Sequence, residues 1–195
     1  MSENKWSELH NDVEINGIVK YWIKISKYLV KPFIILRLSP NFISLLTIVV
    51  SIPLIFDPSK WWLVVVALIL DGIDGRVAIE TNKATKSGAV IDSLSDRAVE
   101  FIWGMTLHMA GLNDYIIFIF IGSAWIQEYL RSRAGGLGYR KIGIVTISER
   151  PTRSIFIALA LAVSTFASII LILGLIVQII GLITLVMVFK KTINL

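Results

Sequence analysis

Cysteine is absent from this 195-residue chain, and histidine is scarce. Without cysteine the chain has no disulfide framework, no thiol nucleophile and no thiolate ligand for zinc. The two histidines, His10 and His108, lie far in sequence from the acidic residues described below, so we do not expect a zinc site. The polar segment Met1–Asn16 also lacks the apolar stretch of a secretory signal, and none is expected.

Long apolar runs, by contrast, are abundant. Hydrophobic residues make up 55% of the sequence, and the mean hydropathy is +0.76. A helix needs about 20 apolar residues to cross a bilayer core about 30 Å thick. We therefore predict an all-α, polytopic membrane protein with six transmembrane helices. The predicted spans are Phe42–Phe56, Trp61–Ile79, Ala89–Ala110, Tyr115–Leu130, Ile155–Leu171 and Leu175–Phe189.

A segment of mixed character, Val13–Leu38, precedes the first predicted span. Its lysines recur at helical spacing among aromatic and aliphatic residues, a pattern typical of an amphipathic helix in the membrane interface. Pro40 then marks a break in the helix. We predict an N-terminal part with this interfacial helix, residues 1–39, and a six-helix membrane domain, residues 40–195. The lysines are Lys20, Lys24, Lys27 and Lys31.

Basic residues are distributed unequally between the two sides of the predicted bundle. The loop Asp57–Lys60 contains one lysine, the loop Gly111–Asp114 contains no basic residue, and the expected loop near Gly174 contains no charge. All of the 19 Lys and Arg residues except Lys60 thus lie on the other side or on helices that lead to it. Because cytoplasmic loops are rich in Lys and Arg, we predict that both termini are cytoplasmic. This distribution argues for a membrane and against nucleic acid as a partner.

Four aspartates interrupt the second and third predicted spans. Asp71 and Asp74 are three residues apart. Asp92 and Asp96 are four apart, so on helices each pair shares one face. One carboxylate at mid-membrane costs roughly 2.5–3.5 kcal/mol, and clustered carboxylates repel one another, so a cation is their natural partner. Oxygen ligands suit Mg²⁺, Mn²⁺ or Ca²⁺.

The alternative interpretation is a helix-packing motif whose acids are neutralised by Arg76 and Arg97. Small residues accompany the acids, and these allow either a second helix or a phosphate to approach the backbone closely. Because four acids with several glycines exceed what packing needs, we favour a metal site. The small residues are Gly72, Gly75, Ala78, Gly88 and Ala89.

The stretch from Asp71 to Asp96 resembles the signature of the CDP-alcohol phosphotransferases. That signature reads D-x-x-D-G-x-x-A-R, then eight residues, then G-x-x-x-D-x-x-x-D. The resemblance covers nearly the whole chain, because the family fold also has six membrane helices after an interfacial helix. The matching residues are Asp71, Asp74, Gly75, Ala78, Gly88, Asp92 and Asp96.

The resemblance implies a chemistry. The four aspartates would hold two Mg²⁺ or Mn²⁺ ions, and Asp96 would be the general base that takes the proton of the acceptor hydroxyl. One motif position differs: the arginine that helps bind the nucleotide phosphates in the family is Ile79 here, and Arg76 on the same helix face is a candidate replacement. The CDP-lipid-binding residues implied by the family are Asn41, Ser44, Gly75, Ala78, Thr85 and Gly88.

Two basic segments after the fourth predicted span resemble those of phosphatidylinositol phosphate synthases and archaetidylinositol phosphate synthases. They begin at Glu128 and at Glu149, and we expect Glu128 to pair with Arg131 at helical spacing. A phosphorylated acceptor is dianionic, and arginine offers it bidentate donors. The alternative is the positive-inside rule alone. The acceptor-phosphate-binding residues implied by the resemblance are Arg131, Arg153, and Lys190 or Lys191.

The function predicted is transfer of the phospholipid moiety of a CDP-lipid, either CDP-diacylglycerol or CDP-archaeol, to inositol phosphate with release of CMP. Glycerol phosphate is the nearest competing acceptor, and serine would not need the basic cluster. Outside this class, a cation transporter and a catalytically silent homologue, made plausible by Ile79, are the alternatives. We expect a multi-pass protein of the cell membrane, with its active site facing the cytoplasm. By resemblance we expect a homodimer.

Overall fold

The computed structural model describes residues 25–138 and 146–193. Within these two ranges the chain forms helices and short 3₁₀ turns and no strand, which confirms the predicted all-α class for this part. Residues 25–29 are helical and are followed by helix α1, Lys31–Ile35. The other helices are α2 Pro40–Ser51, α3 Pro53–Phe56, α4 Trp62–Glu80, α5 Lys86–Met109, α6 Asp114–Gly136, α7 Arg150–Ala162 and α8 Ala167–Ile193, with 3₁₀ turns at Pro58–Lys60 and Ser164–Phe166.

Contacts divide the chain into two compact units. Among the described residues, the first unit comprises residues 25–50 and 66–98, and the second comprises residues 51–65, 99–138 and 146–193. The boundaries fall within helices, so α4 and α5 each contribute to both units. The apolar core of the first unit joins α2 to the middle of α4. Its buried residues are Val30, Ile43, Leu70, Ile73 and Val77.

Helix α2 begins with a serine cap. The hydroxyl of Ser39 accepts a hydrogen bond from the amide of Phe42 at 3.2 Å, and Pro40 occupies the first helical position. Both features are typical of helix N-termini, since proline has no amide hydrogen to leave unsatisfied. Ser39 therefore caps the N-terminus of α2.

Helix α8 has one buried stripe and one exposed apolar face. Leu171, Gln178 and Leu185 are almost fully buried at heptad spacing, on the side that packs against α6 and α7. The opposite side exposes isoleucines at helical spacing, which is typical of a helix that contacts lipid or another apolar partner. The exposed isoleucines are Ile169, Ile172, Ile176, Ile179, Ile180 and Ile183.

The loop predicted near Gly174 is wrong. Gly174 lies inside α8, and the chain turns instead at the 3₁₀ segment Ser164–Phe166. A Cβ atom at Gly174 would lie 2.7 Å from the ring of Phe156 and 2.9 Å from that of Phe120. The glycine is thus required by close helix packing, a role of small residues in membrane helices, and its sequence signal resembled a turn.

The number of membrane spans stays a prediction. Among the described residues, one segment, Ser164–Lys191, is long and apolar enough to cross a bilayer by itself, with a mean hydropathy of 3.0. Ile25–Ile35 and Pro40–Phe56 pass this criterion only together, and they are bent by 103° at the break between them. Helix α7 has 13 residues, or about 20 Å, which is shorter than a bilayer core of about 30 Å.

The first part of the predicted interfacial segment, up to residue 24, lies outside the described residues. From residue 25 onward, Lys27 and Lys31 are exposed, whereas Ser26 and Val30 are buried. The apolar Ile25 and Tyr28 are exposed as well, so the amphipathic character and the interfacial position stay predictions.

Candidate active site

A short turn joins the two helices that carry the aspartates. After α4 ends at Glu80, Asn82 adopts a positive φ of 53°. The amides of Asn82 and Lys83 donate to carbonyls in the last turn of α4 at 3.3 and 2.8 Å. These bonds form a Schellman cap, in which a left-handed residue reverses the chain. Thr85 then caps α5 by accepting from the Gly88 amide at 3.0 Å, so both helix ends at this turn are defined.

Three of the four aspartates converge. Carboxylate oxygens of Asp71, Asp74 and Asp92 all lie within 4.8 Å of one another. We call these three residues the carboxylate cluster. Asp74 is buried, and its two oxygens accept hydrogen bonds from the Ser44 hydroxyl and the Gly75 amide, both at 2.5 Å. These bonds fix the orientation of Asp74 without using a cation.

Asp96 lies outside the carboxylate cluster. It follows Asp92 by one turn of α5, and its side chain is 3.8 Å from the guanidinium of Arg97. The structure therefore brings three of the predicted metal ligands together and leaves the fourth, the predicted general base, beside an arginine. Arg97 was one of the two arginines of the packing alternative.

Arg76 has different partners in the structure. Its guanidinium donates to Glu80 at 2.8 Å and to the hydroxyl of Ser26 at 2.9 Å. The bond to Ser26 joins the end of α4 to the segment before α1, whereas the bond to Glu80 lies within α4. They place Arg76 in a structural contact within the first unit. They do not support it as the replacement for the motif arginine at Ile79.

A cavity of about 180 Å³ opens beside the carboxylate cluster. A Cβ at Gly75 would meet no atom within 4 Å, so its backbone is open to a ligand. A Cβ at Gly88 would lie 3.0 Å from the Thr85 hydroxyl and 3.2 Å from the Asn41 amide oxygen, so these groups need glycine between them. The lining residues are Asp74, Gly75, Ala78, Lys83, Ala84, Thr85, Gly88, Ala89 and Asp92.

The residues present fit a divalent metal. Three carboxylates within 4.8 Å form an all-oxygen donor set, which suits Mg²⁺ or Mn²⁺. Such a group of like charges in an apolar helical unit is favourable when a cation joins it. The carboxylate cluster would hold the metal.

In the second unit, Arg153 is buried in a network of carboxylates. Its guanidinium donates to Glu100 at 3.0 Å, to Glu128 at 3.3 Å and to the Ser148 carbonyl at 2.9 Å. The side chains of Arg153 and Glu100 are each 3% exposed. An ion pair this deeply buried is held by its geometry, because the loss of either partner leaves an uncompensated charge.

Arg131 forms the second half of this network. It donates to both oxygens of Glu149, at 2.8 and 2.5 Å, and lies 3.6 Å from Glu128. The predicted pairing of Glu128 with Arg131 is confirmed. Burial would raise the pKa of Glu149, but hydrogen bonds from Arg131 and Thr146 outweigh it and hold the pKa below its usual 4.5. The arginine network, as we call it, consists of Arg131, Arg153, Glu100, Glu128 and Glu149.

The other two predicted acceptor-binding residues lie at the end of the chain. Lys190 and Lys191 are exposed in the last turns of α8. Arg131 and Arg153, by contrast, are joined through Glu128, which contacts both.

Polar side chains buried between helices support the arginine network. The amide of Gln127 donates to the carbonyl of Gln178 on α8 at 3.1 Å and accepts from the Ser148 hydroxyl at 2.7 Å. A Cβ at Gly181 would collide with the Ser148 side chain. Helix α8 thus approaches residue 148 closely because position 181 is glycine, and this approach fixes the carbonyl that binds Arg153.

The geometry agrees with the comparisons to known proteins. A model of the CDP-alcohol phosphatidyltransferase family matches residues 37–190. The chain therefore belongs to this family, which is membrane-integral.

Two curated relatives act on different alcohols by name. The archaetidylinositol phosphate synthase of Aeropyrum pernix is 34% identical over 104 residues, 53% of this chain and 53% of that protein. The CDP-diacylglycerol–serine O-phosphatidyltransferase of Helicobacter pylori is 32% identical over 124 residues, 56% of this chain and 52% of that protein. The matches thus span about half the length of these relatives.

Solved structures show the same fold. Phosphatidylinositol phosphate synthase of Mycobacterium tuberculosis with CDP-DAG bound has a TM-score of 0.71 at 21% identity, over 86% of this chain and 94% of that one. The same enzyme with manganese and citrate has a TM-score of 0.69 at 21% identity, over 83% and 87%.

Two residues of these sites were missed in the sequence. Glu100 continues the i, i+4 series of Asp92 and Asp96 along α5, so helical spacing could have identified it. Lys83 lines the cavity, but its position depends on the left-handed turn at Asn82, which no regular spacing indicates.

Proposed function

We propose that this protein is a metal-dependent transferase that moves the phospholipid moiety of a CDP-lipid to inositol phosphate and releases CMP. The carboxylate cluster supports this proposal most directly. Its three carboxylates fill positions of the family motif and meet within 4.8 Å, next to a cavity whose walls are largely glycine, alanine and threonine.

The proposed reaction forms one phosphorus–oxygen bond and breaks another. The acceptor hydroxyl oxygen attacks the phosphorus that bears the lipid, and CMP leaves with the bridging oxygen of the pyrophosphate. Asp96 takes the hydroxyl proton as general base. Two divalent ions held by the carboxylate cluster and Asp96 would neutralise the pyrophosphate and the departing CMP.

The CDP part of the donor is proposed to occupy the cavity beside the carboxylate cluster. Gly75, Ala78, Thr85 and Gly88 line this cavity, and Asn41 approaches Gly88. Ser44 acts through Asp74, whose carboxylate it orients. Small residues allow a phosphate to approach the backbone closely, which agrees with the assignment of these positions to the donor.

The acceptor's phosphate is proposed to bind Arg131 and Arg153, with Lys190 or Lys191 as a further cation. The proposal requires the phosphate to displace a carboxylate. Glu128 is the candidate, because its side chain is 32% exposed and its contacts to Arg153 and Arg131 are long, at 3.3 and 3.6 Å. Glu100, which is 3% exposed, would stay in place as the permanent partner of Arg153.

Serine is a second candidate acceptor. It is favoured by the balance of the arginine network, in which carboxylates already face both arginines, and by the similarity to the serine-specific relative from Helicobacter pylori. An acceptor without phosphate would leave this network intact.

The test is CMP release by the purified protein in detergent with a CDP-lipid and Mg²⁺ or Mn²⁺. Inositol phosphate, glycerol phosphate, inositol and serine are supplied as parallel acceptors, with CDP-diacylglycerol and CDP-archaeol as donors. We expect release with inositol phosphate and its loss with EDTA. Release only with serine would support the transferase class but contradict inositol phosphate as the acceptor. If no combination of donor and acceptor gave CMP, the proposed transferase activity would be refuted.

The membrane arrangement is proposed with both termini and the active site on the cytoplasmic side. Because the chain has no cysteine, single cysteines can be introduced without background and labelled in intact cells. We expect a cysteine at position 3 to be protected from an impermeant reagent and one at position 59 to be labelled. The opposite pattern would reverse the topology. The proposed homodimer is tested by mass measurement in detergent.

A further inference from the structure

The turn between α4 and α5 carries a lysine to the cavity beside the carboxylate cluster. The Schellman cap at Asn82 turns the chain back, and the Lys83 amide donates to the Ala78 carbonyl at 2.8 Å. Ala78 and Lys83 both line the cavity. The backbone of Lys83 is therefore fixed by the helix end, whereas its side chain is exposed.

Lys83 is the one basic residue among those that line this cavity in the described part of the chain. Asp74 and Asp92, which line the same cavity, are acidic and repel a phosphate. A pyrophosphate diester carries two negative charges, so a cation at this position offsets part of that repulsion. The first turn of α5, with Gly88 and Ala89 at the cavity, adds the positive end of a helix dipole.

We propose that Lys83 binds a phosphate of the pyrophosphate group of the donor and so sets the affinity for the CDP-lipid. This inference rests on the proposed function of the cavity. In the family the motif arginine provides a positive charge near the nucleotide phosphates, but this chain has Ile79 there. Arg76 is bonded to Glu80 and Ser26. Lys83 would supply the positive charge in place of the motif arginine. Lys83 is a binding residue in this proposal and takes no proton.

The experiment measures binding of CDP by calorimetry in detergent with Mn²⁺ present. Lys83→Gln should weaken CDP binding by about tenfold or more, because a hydrogen bond to a charged group is lost. Lys83→Arg should stay within about threefold of the wild type, because the charge is kept. Lys86→Gln is the matched control: Lys86 is exposed, lies three residues away and is not among the lining residues, so its CDP affinity should equal that of the wild type.

Turnover provides a second readout. Lys83→Gln should raise the KM for the CDP-lipid by a factor similar to the loss of CDP affinity, while kcat changes less. Equal CDP affinity in Lys83→Gln and Lys86→Gln would overturn the role of Lys83 and leave the proposed function standing. A wild-type protein that binds no CDP in the presence of Mn²⁺ would overturn both. Melting temperatures equal to the wild type would show that all three variants are folded.

Discussion

Charged side chains are arranged in opposite ways in the two units. In the first unit the carboxylate cluster brings three groups of one sign within 4.8 Å of one another. In the second unit each glutamate of the arginine network lies within hydrogen-bonding distance of an arginine. Converging like charges indicate a ligand of opposite sign from outside the chain, whereas paired charges stabilise a conformation from within. The two regions should therefore respond differently to the same type of substitution.

The largest effect is expected from the carboxylate cluster. Asp92→Asn removes a metal ligand, and even substitutions behind the ligands typically cost 10–100-fold in affinity or activity. We expect CMP release to fall by more than about a hundredfold, with little change in thermal stability. Asp57→Asn is the matched control, because Asp57 caps an exposed 3₁₀ turn. Equal CMP release by the two variants would contradict a metal site at the cluster.

In the arginine network, replacing a carboxylate by an amide should lower the free energy of unfolding. Glu100→Gln leaves the Arg153 charge in a site where both side chains are 3% exposed, and loss of one partner of a buried pair typically destabilises by about 3–5 kcal/mol. Unfolding in detergent should show this loss. Glu128→Gln should cost less, because Glu128 is 32% exposed and 3.3 Å from Arg153. If Glu128→Gln were the more destabilising change, Glu100 would not be the anchor of Arg153.

Ser44→Ala should lower manganese affinity by about 10–100-fold, because it removes the hydroxyl that orients Asp74. Ser59→Ala is the matched control, since Ser59 makes the same kind of bond to Asp57, at 2.5 Å, in an exposed turn. The control should leave manganese binding unchanged. If Ser44→Ala also leaves it unchanged, the orientation of Asp74 does not depend on Ser44.

The smallest effect is a pH dependence in the arginine network. The folded-state pKa of Glu149 lies below 4.5, so its contribution to stability is present above about pH 4.5 and is lost as the pH falls through the folded-state pKa. Glu149→Gln should destabilise the protein by about 1–3 kcal/mol at pH 7, and the difference from the wild type should shrink toward pH 3. A constant difference would show that Glu149 is not ionised in the pair.

Helical periodicity predicted the contacts between residues three or four positions apart, because such residues lie on one face of a helix. The spacing of Asp71 and Asp74, and of Glu128 and Arg131, placed each pair on one helix face, and both pairings are present. The exposed isoleucines of α8 likewise agree with the long apolar runs.

What periodicity did not predict depends on backbone reversals and on packing between helices. Gly174 was read as a loop because glycine is common in turns, but a neighbouring pair of phenylalanine rings needs the space. Lys83 reaches the cavity through a left-handed residue at Asn82, and Glu100 meets Arg153 from 53 residues away. Helical spacing placed Asp92 and Asp96 on one face of α5, yet only Asp92 belongs to the carboxylate cluster, and Asp96 lies beside Arg97.

The most direct test of the account is the number of manganese ions bound per chain, measured by electron paramagnetic resonance on the purified protein with and without CDP. We predict that manganese binds to the wild type, that CDP strengthens this binding, and that Asp71→Asn and Asp92→Asn abolish it while Glu128→Gln does not. Manganese binding that is unaffected by both aspartate substitutions would contradict the assignment of the carboxylate cluster as the metal site.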